Sequence, residues 1–269
     1  MPELPEAEAV TRRLRKHAGK ARIVSAHIVR PKITAPQTPA HVESGIRDTA
    51  ISRVHRRGKQ VLIDLASGLT IRIHLGMTGD VYVIDDHRFR PHPTRAWLHL
   101  DDDRAIIFDD SRVLGHLNLY TQSELAAALA HLGPEPLSSD FTAHTLRALA
   151  AASRLPIKSF LMDQTKVAGL GNIYAAESLF WAGIHPARPA CKLRSARLER
   201  LHDAIVNVLT DAVQSACIAY MRPGRFREAE AFTAQVYGRE GEPCMRCQRK
   251  IRRIQQGGRS TYFCPGCQT

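Results

Sequence analysis

No stretch of the chain approaches the ~18 consecutive apolar residues that a membrane-crossing helix needs, so no membrane partner is expected. The opening lacks the basic and then apolar pattern of a secretory signal; Glu3, Glu6 and Glu8 stand there instead. A soluble protein of the cytoplasm is the expectation. Acids are scarce beside bases, 26 against 38, leaving a net charge of +12. An excess of that size favours a polyanionic partner, of which nucleic acid is the commonest. Cysteine is limited to six residues, and four of these are spaced for a metal rather than for disulfides. Apolar residues are plentiful at 44%, which excludes disorder as the main state, and 269 residues suffice for two domains with a small appendage.

The segment 244–267 reads CMRCQRKIRRIQQGGRSTYFCPGC. Cys244 and Cys247 form one C-x2-C knuckle, Cys264 and Cys267 another, with sixteen residues between the pairs. Each knuckle sets two thiolates on one turn, and a β-hairpin would join the turns around a tetrahedral Zn2+. Four cysteine ligands leave no open position, so the ion is expected to be structural. Two disulfides are the other use of such thiols, and a cytoplasmic chain disfavours them. A segment this small has little core, so metal binding should supply much of its folding energy. Arg246, Arg249, Lys250, Arg252, Arg253 and Arg259 crowd the same stretch without one acid, a pattern that suits phosphates. Cys191 and Cys217 read as ordinary partly buried thiols.

Residues 5–18 predict a helix, with Pro5 at its first position, acids at its start and Arg13, Arg15 and Lys16 toward its end. From 22 to 120 the runs RIVSAHIV, QVLIDL, LTIRIHL, DVYVID, AWLHL and AIIFD predict short strands of an antiparallel sandwich or barrel. Helical patterns follow in TQSELAAALAHL, TAHTLRALAAA, IKSFLMDQ, NIYAAESLFWAG and the long run beginning SARLERLHDAIV. The fold class expected is α+β multidomain.

Between two of these helices lies KVAGLGNIY, 166–174. Gly169 and Gly171 permit a sharp turn, and Asn172 suits the cap of the helix that follows. Amides at that end, with the helix dipole, attract phosphate. A dinucleotide fingerprint fits poorly, since a third glycine and a preceding strand are missing. Spacing alone fits a plain corner between helices equally well; the basic hairpin in the same chain favours a DNA contact.

Several separated stretches resemble one family. PELPEAE at the start, RRGK at 56–59, HLGMTGD at 74–80, HLGPEPL at 131–137, KSFLMDQTKVAGLGNIYAAESLFWAGIHPAR at 158–188, and VYGREGEPCMRC with GRSTYFCPGC at the end are similar to formamidopyrimidine-DNA glycosylases. Leu4 stands where the related endonuclease VIII branch typically has glycine. The resemblance implies a bifunctional base-excision repair enzyme for double-stranded damaged DNA, glycosylase and abasic-site lyase together. It implies a catalytic β-sandwich domain over 1–130, a linker and entry helix over 131–150, a helix–two-turns–helix domain over 151–231 and a four-cysteine zinc finger over 232–269. Nothing in the sequence calls for a partner protein, and a monomer is expected.

The resemblance also implies roles. Pro2, freed by loss of Met1, would be a secondary-amine nucleophile that forms a Schiff base with the sugar. Glu3 would move protons beside it, and Glu6 would orient that centre or hold water. Lys59 and Arg259 match cations that serve the two eliminations, each of which expels a phosphate. Lys158, Asn172, Arg154 and His92 match contacts to the DNA backbone. Glu177 matches an acid that supports the Pro2 centre or caps a helix. Met77 and Arg112 match side chains that fill the gap left by the flipped base, and Leu114 stands where this branch usually has phenylalanine.

The stretch 214–231 lacks the Gly-Gly turn usual in this branch and is shorter than usual, so 8-oxoguanine is expected to be held less firmly than in typical relatives, with ring-opened purines or oxidised pyrimidines remaining substrates. Two other readings stand beside the leading one. An endonuclease VIII-like enzyme would prefer oxidised pyrimidines. A non-catalytic damage-binding protein would keep the ribbon and the turn, but the joint presence of Pro2, Glu3, Lys59 and Arg259 speaks against it.

Overall fold

The structure is a computed structural model that describes residues 2–86, 88, 93–221 and 232–269. Along the chain run α1 (Leu4–Ala18), β1 (Arg22–Ile28), α2 (Pro39–Gly45), β2 (Thr49–Arg57), β3 (Gln60–Leu65), β4 (Leu69–His74), β5 (Asp80–Ile84), β6 (Thr94–Leu100), β7 (Ala105–Asp109) and β8 (His116–Thr121). Then come α3 (Gln122–Leu129), α4 (Ala143–Ala151), α5 (Ile157–Met162), α6 (Asn172–Ala182), α7 (Ser195–Ala219), β9 (Arg252–Gln256) and β10 (Arg259–Phe263). Among the described residues no helix is long and apolar enough to cross a membrane.

The first compact unit holds the described residues through Ala130 together with Val213–Met221. Its strands follow the order β5-β7-β6-β1-β2-β3-β4-β8, antiparallel at every pairing. β1 and β2 share only two register pairs, Arg22↔Ala50 and Ile23↔Thr49. That narrow seam divides the sheet into two leaves of a sandwich, whose inner residues make one core. Ile63, Ile71, Ile73 and Leu117 meet Ala96, Leu98, Ile106 and Phe108 there.

Helix α1 covers β2, β3 and β5. Leu4, Ala7, Val10, Leu14 and Ala18 recur at helical spacing, and all are 2% exposed or less. The helix starts one residue before the expected place, so Pro5 is its second residue rather than its first. The reason lies in its cap: Glu6 reaches back to accept the backbone N–H of Glu3 at 2.7 Å, the return half of a capping box. Farther along, Arg13 donates to the carbonyls of Tyr220 at 2.6 Å and Val81 at 2.8 Å and also pairs with Asp80. A guanidinium fork thus fastens α1 to β5 and to the residues that follow α7.

The second compact unit comprises His131–Ala212 and Phe232–Thr269. In it α6 is buried on nearly every side, with Ala176 and Phe180 packed against Val236, Cys244, Ile251 and Cys264. The hairpin β9–β10 pairs Gln256 with Arg259 and turns through Gly257 and Gly258, both at positive φ.

Candidate active site

Pro2 and Glu3 are both buried at the head of α1, and Glu3 is 1% exposed. Glu6 acts on the Glu3 backbone through the capping box. Glu8, one turn on, accepts from Arg12 at 2.8 Å and from Arg56 Nε at 2.9 Å. Burial works to raise the Glu8 pKa, but the two guanidinium groups outweigh it and hold the carboxyl below its usual range. Arg56 also donates to the Gly58 carbonyl at 2.7 Å. The Gly58–Lys59 pair closes the β2–β3 hairpin, with Gly58 at φ 56, a region where glycine carries no steric cost. Lys59 therefore stands on a turn that Arg56 ties to α1.

His74, at the end of β4, pairs in register with both Gln60 and His116. Its Nδ1 accepts the N–H of Gly76 at 3.0 Å, which requires that nitrogen to be unprotonated. Burial, and then the nearby charges of Lys59, Arg72 and His116, push its pKa down to about 4. The imidazole is neutral at physiological pH and shapes the start of the loop bearing Met77. Met77 is 37% exposed and Leu114 39%, high values for apolar side chains, and Arg112 beside them is exposed as well. Gly76 lies at φ 64, and a Cβ there would sit 2.5 Å from the carbonyl carbon of Leu114. Only glycine lets the two loops meet backbone to backbone.

In the second unit Lys158 is 1% exposed. Its ammonium donates to Asn172 Oδ1 at 2.5 Å, to Thr261 Oγ1 at 2.7 Å and to the Ser260 carbonyl at 3.2 Å. Asn172 Nδ2 donates to that same carbonyl at 3.1 Å. Asn172 is thus not the cap of α6 but its first residue; Gly171 takes the cap position, and the Asn172 amide is oriented by Lys158 and Ser260. Of the two glycines before it, only Gly169 is left-handed, at φ 85; Gly171 is extended. Gln164 staples the turn, accepting from Gly169 N–H at 2.9 Å and donating to the carbonyls of Met162 and Leu170. Arg154 is exposed between α4 and α5.

Glu177 neither caps a helix nor stays accessible. It is fully buried on α6, and its oxygens accept the N–H groups of Gln235, Val236 and Tyr237 at 2.8, 3.0 and 2.8 Å. Burial raises its pKa, against the pull of those three donors. His92 lies outside the described residues, as does 222–231; within the stretch 214–231, residues 214–219 form the end of α7.

The sulfurs of Cys244, Cys247, Cys264 and Cys267 all lie within 4.8 Å of one another. Cys244 and Cys267 are 3.8 Å apart and Cys247 and Cys264 3.4 Å, too far for disulfide bonds. Four thiolates at ~2.3 Å from one zinc would be about 3.8 Å apart, so the cluster fits a structural Zn2+. Burial alone would raise the Cys244 thiol, but the N–H groups of Arg246 and Cys247 bring it down to about 7, which favours the ligating thiolate. Arg246, Arg249, Lys250, Arg252, Arg253 and Arg259 are all exposed on this ribbon. Arg246 stacks over Phe180 and Trp181 at 5.5 and 5.6 Å.

Sequence reasoning did not single out His74, Arg56, Gln164 or Asp110, a buried acid between β7 and the loop of Arg112. The motif HLGMTGD contains the first, RRGK the second and KSFLMDQ the third; their partners could not be read there.

Comparison with known proteins gives consistent similarity along the chain. Residues 1–117 match the formamidopyrimidine-DNA glycosylase N-terminal domain, 132–221 the formamidopyrimidine-DNA glycosylase H2TH domain and 241–269 the zinc finger found in FPG and IleRS. A formamidopyrimidine-DNA glycosylase of Chloroflexus aurantiacus is 40% identical over 274 residues, covering 100% of this chain and 98% of its own. That of Xanthomonas axonopodis pv. citri is also 40% identical and is covered completely. The Lactococcus lactis enzyme, solved non-covalently bound to DNA with an AP site, superposes with a TM-score of 0.89 at 31% identity, over 99% of each chain.

Proposed function

Because the chain belongs to the formamidopyrimidine-DNA glycosylase family, we propose that it is a base-excision repair DNA glycosylase that also cleaves the strand, acting on damaged duplex DNA inside the cell. The observation that carries this reading is the head of α1, where Pro2 and Glu3 are buried and Glu6 fixes the Glu3 backbone at 2.7 Å. Relatives solved with DNA containing an AP site or Fapy-dG support the substrate class.

With Met1 removed, Pro2 is a secondary amine; an α-amine titrates near ~7.7–8.0, so a working fraction is unprotonated at neutral pH. It attacks C1′ of the damaged nucleotide. The bond from C1′ to the base breaks, its electron pair leaves with the base, and Glu3 relays the protons. The sugar ring then opens: the C1′–O4′ bond breaks, O4′ takes a proton by way of Glu3, and the proline nitrogen is left in an iminium, which acidifies the proton on C2′. Loss of that proton expels the 3′ phosphate, and a second elimination expels the 5′ phosphate. Lys59 serves the first departure and Arg259 the second, each as a cation for developing phosphate charge. Water then releases the sugar fragment. Lys158 and Asn172 act on the DNA backbone as a pair, Lys158 by holding Asn172, while Arg154 and His92 contact phosphate directly. The zinc ion keeps the basic hairpin folded.

Met77, Arg112 and Leu114 fill the duplex when the base leaves. Leucine lacks the aromatic stacking of phenylalanine, and 214–231 carries no Gly-Gly turn, so 8-oxoguanine is held less firmly than in typical relatives while ring-opened purines and oxidised pyrimidines remain substrates. Side-by-side excision rates on the three lesions test this; a strong 8-oxoguanine preference overturns it. The activity itself is tested by borohydride reduction with lesion-containing duplex. A covalent adduct is expected that is lost in Pro2→Glu. No adduct with any oxidised base or abasic site leaves a non-catalytic binding protein.

A further inference from the structure

The loops 75–79 and 110–115 meet on one buried carboxylate. Asp110 is 0% exposed. Its Oδ1 accepts the Thr78 hydroxyl at 2.5 Å and the Arg112 N–H at 3.2 Å; its Oδ2 accepts the N–H groups of Leu114 and Gly115, each at 2.7 Å. An ionised carboxylate has about four acceptor positions, and these four donors fill them. From β6, Arg95 holds the same loop by its backbone, donating to the carbonyls of Asp110 at 2.6 Å and Ser111 at 3.3 Å.

Between Arg112 and Leu114 the chain is strained. Val113 lies at φ 52, a region that a β-branched residue enters only where its surroundings force it. The carboxylate supplies that force, because it binds the N–H groups on both sides of Val113. On the facing loop, the Thr78 hydroxyl joins the residue after Met77 to the same anchor, and its oxygen also receives the Arg112 N–H at 3.2 Å.

We propose that Asp110 is a positioning residue for base extrusion: its carboxylate holds the loops 75–79 and 110–115 as one preformed wedge, so that Met77, Arg112 and Leu114 enter the duplex as a set. The inference rests on the glycosylase reading given above. Its physical basis is entropic. Loops that must be ordered at each insertion add that cost to the few kcal/mol of unstacking, whereas loops ordered beforehand do not.

The test is stopped-flow fluorescence of 2-aminopurine placed beside an oxidised base in duplex DNA, using the full zinc-loaded chain. Asp110→Ala should slow extrusion at least tenfold, and excision with it. Thr78→Val, which removes only the link between the loops, should slow extrusion about threefold. Cleavage of a single-stranded oligonucleotide with a ready-made abasic site needs no wedge, so both variants should retain it within twofold. That contrast separates positioning from general damage. If Asp110→Ala does not fold, Thr78→Val decides alone. An unchanged extrusion rate in Thr78→Val, or an equal loss of single-strand cleavage, overturns the proposal. A wild-type chain that extrudes no oxidised base overturns the glycosylase reading, and the wedge with it.

Discussion

Glu8 on α1 and Arg56 on β2 form an ion pair at 2.9 Å, and the same guanidinium holds the carbonyl of Gly58. Their side chains are only 16% and 9% exposed, so solvent screens the pair far less than an ordinary surface contact. The link sets the position of the Lys59 turn relative to the helix that starts beside Pro2. Arg56→Lys keeps the charge but loses the fork. Strand cleavage is expected to fall about tenfold, equivalent to about 1.4 kcal/mol, with borohydride trapping at Pro2 little changed. An equal fall in trapping would show that the pair serves the whole fold and not the turn.

Stability should fall in mild acid through His74. Its folded pKa of about 4 lies below the ordinary 6.5, so between those values the unfolded chain binds more protons. The stabilisation is complete above pH 6.5 and is lost as pH falls toward 4. The full shift corresponds to at most about 3 kcal/mol. His74→Asn offers an acceptor that does not titrate, and urea melts between pH 7 and 4 should show a shallower loss for that variant. Parallel curves for the two proteins would rule His74 out as the source.

Glu177→Gln should loosen the segment 235–237. The wild-type carboxylate accepts at both oxygens, whereas an amide presents a donor to at least one of the three N–H groups. A buried N–H left without an acceptor costs about 1–3 kcal/mol. Limited proteolysis followed by mass spectrometry should find new cleavage at 235–237. Protection equal to wild type would mean that the amide finds a satisfactory arrangement.

Removing zinc should abolish tight duplex binding. The ribbon has little core of its own, and a structural zinc contributes on the order of 10 kcal/mol to such a fold. A strong chelator should weaken duplex affinity at least tenfold, and zinc should restore it. Affinity unaffected by verified metal loss would assign DNA binding to other surfaces.

The elements that were legible in the sequence are those whose signal is local. The cysteine knuckles carry their chemistry in four positions of a short segment, and α1 shows Pro5 and acids at its start and bases toward its end. The strands announce themselves by short β-branched runs between turns. Partnerships between distant elements were not legible. Asn172 has the composition of a cap, but its amide goes to Lys158 and to β10, a competition that exists only once those elements are packed. Glu8 looked like a complement to the helix dipole because its spacing along α1 was visible and Arg56 was not. Asp110 sits in plain view two residues before Arg112, but its grip on Thr78 crosses from one loop to another. Spacing along a chain fixes which groups share a turn or a face; packing decides which of them meet.

The knot formed by Lys158, Asn172, Ser260 and Thr261 spans α5, α6 and β10. If β10 detached, the Ser260 and Thr261 acceptors of a buried ammonium would go with it, and the remaining helices could not easily shelter the charge. The ribbon and the α5–α6 turn therefore open together, as one cooperative unit. In native-state hydrogen exchange, the amides of β10 and of the first turn of α6 should share a single protection free energy, and withdrawal of zinc should lower both by the same amount.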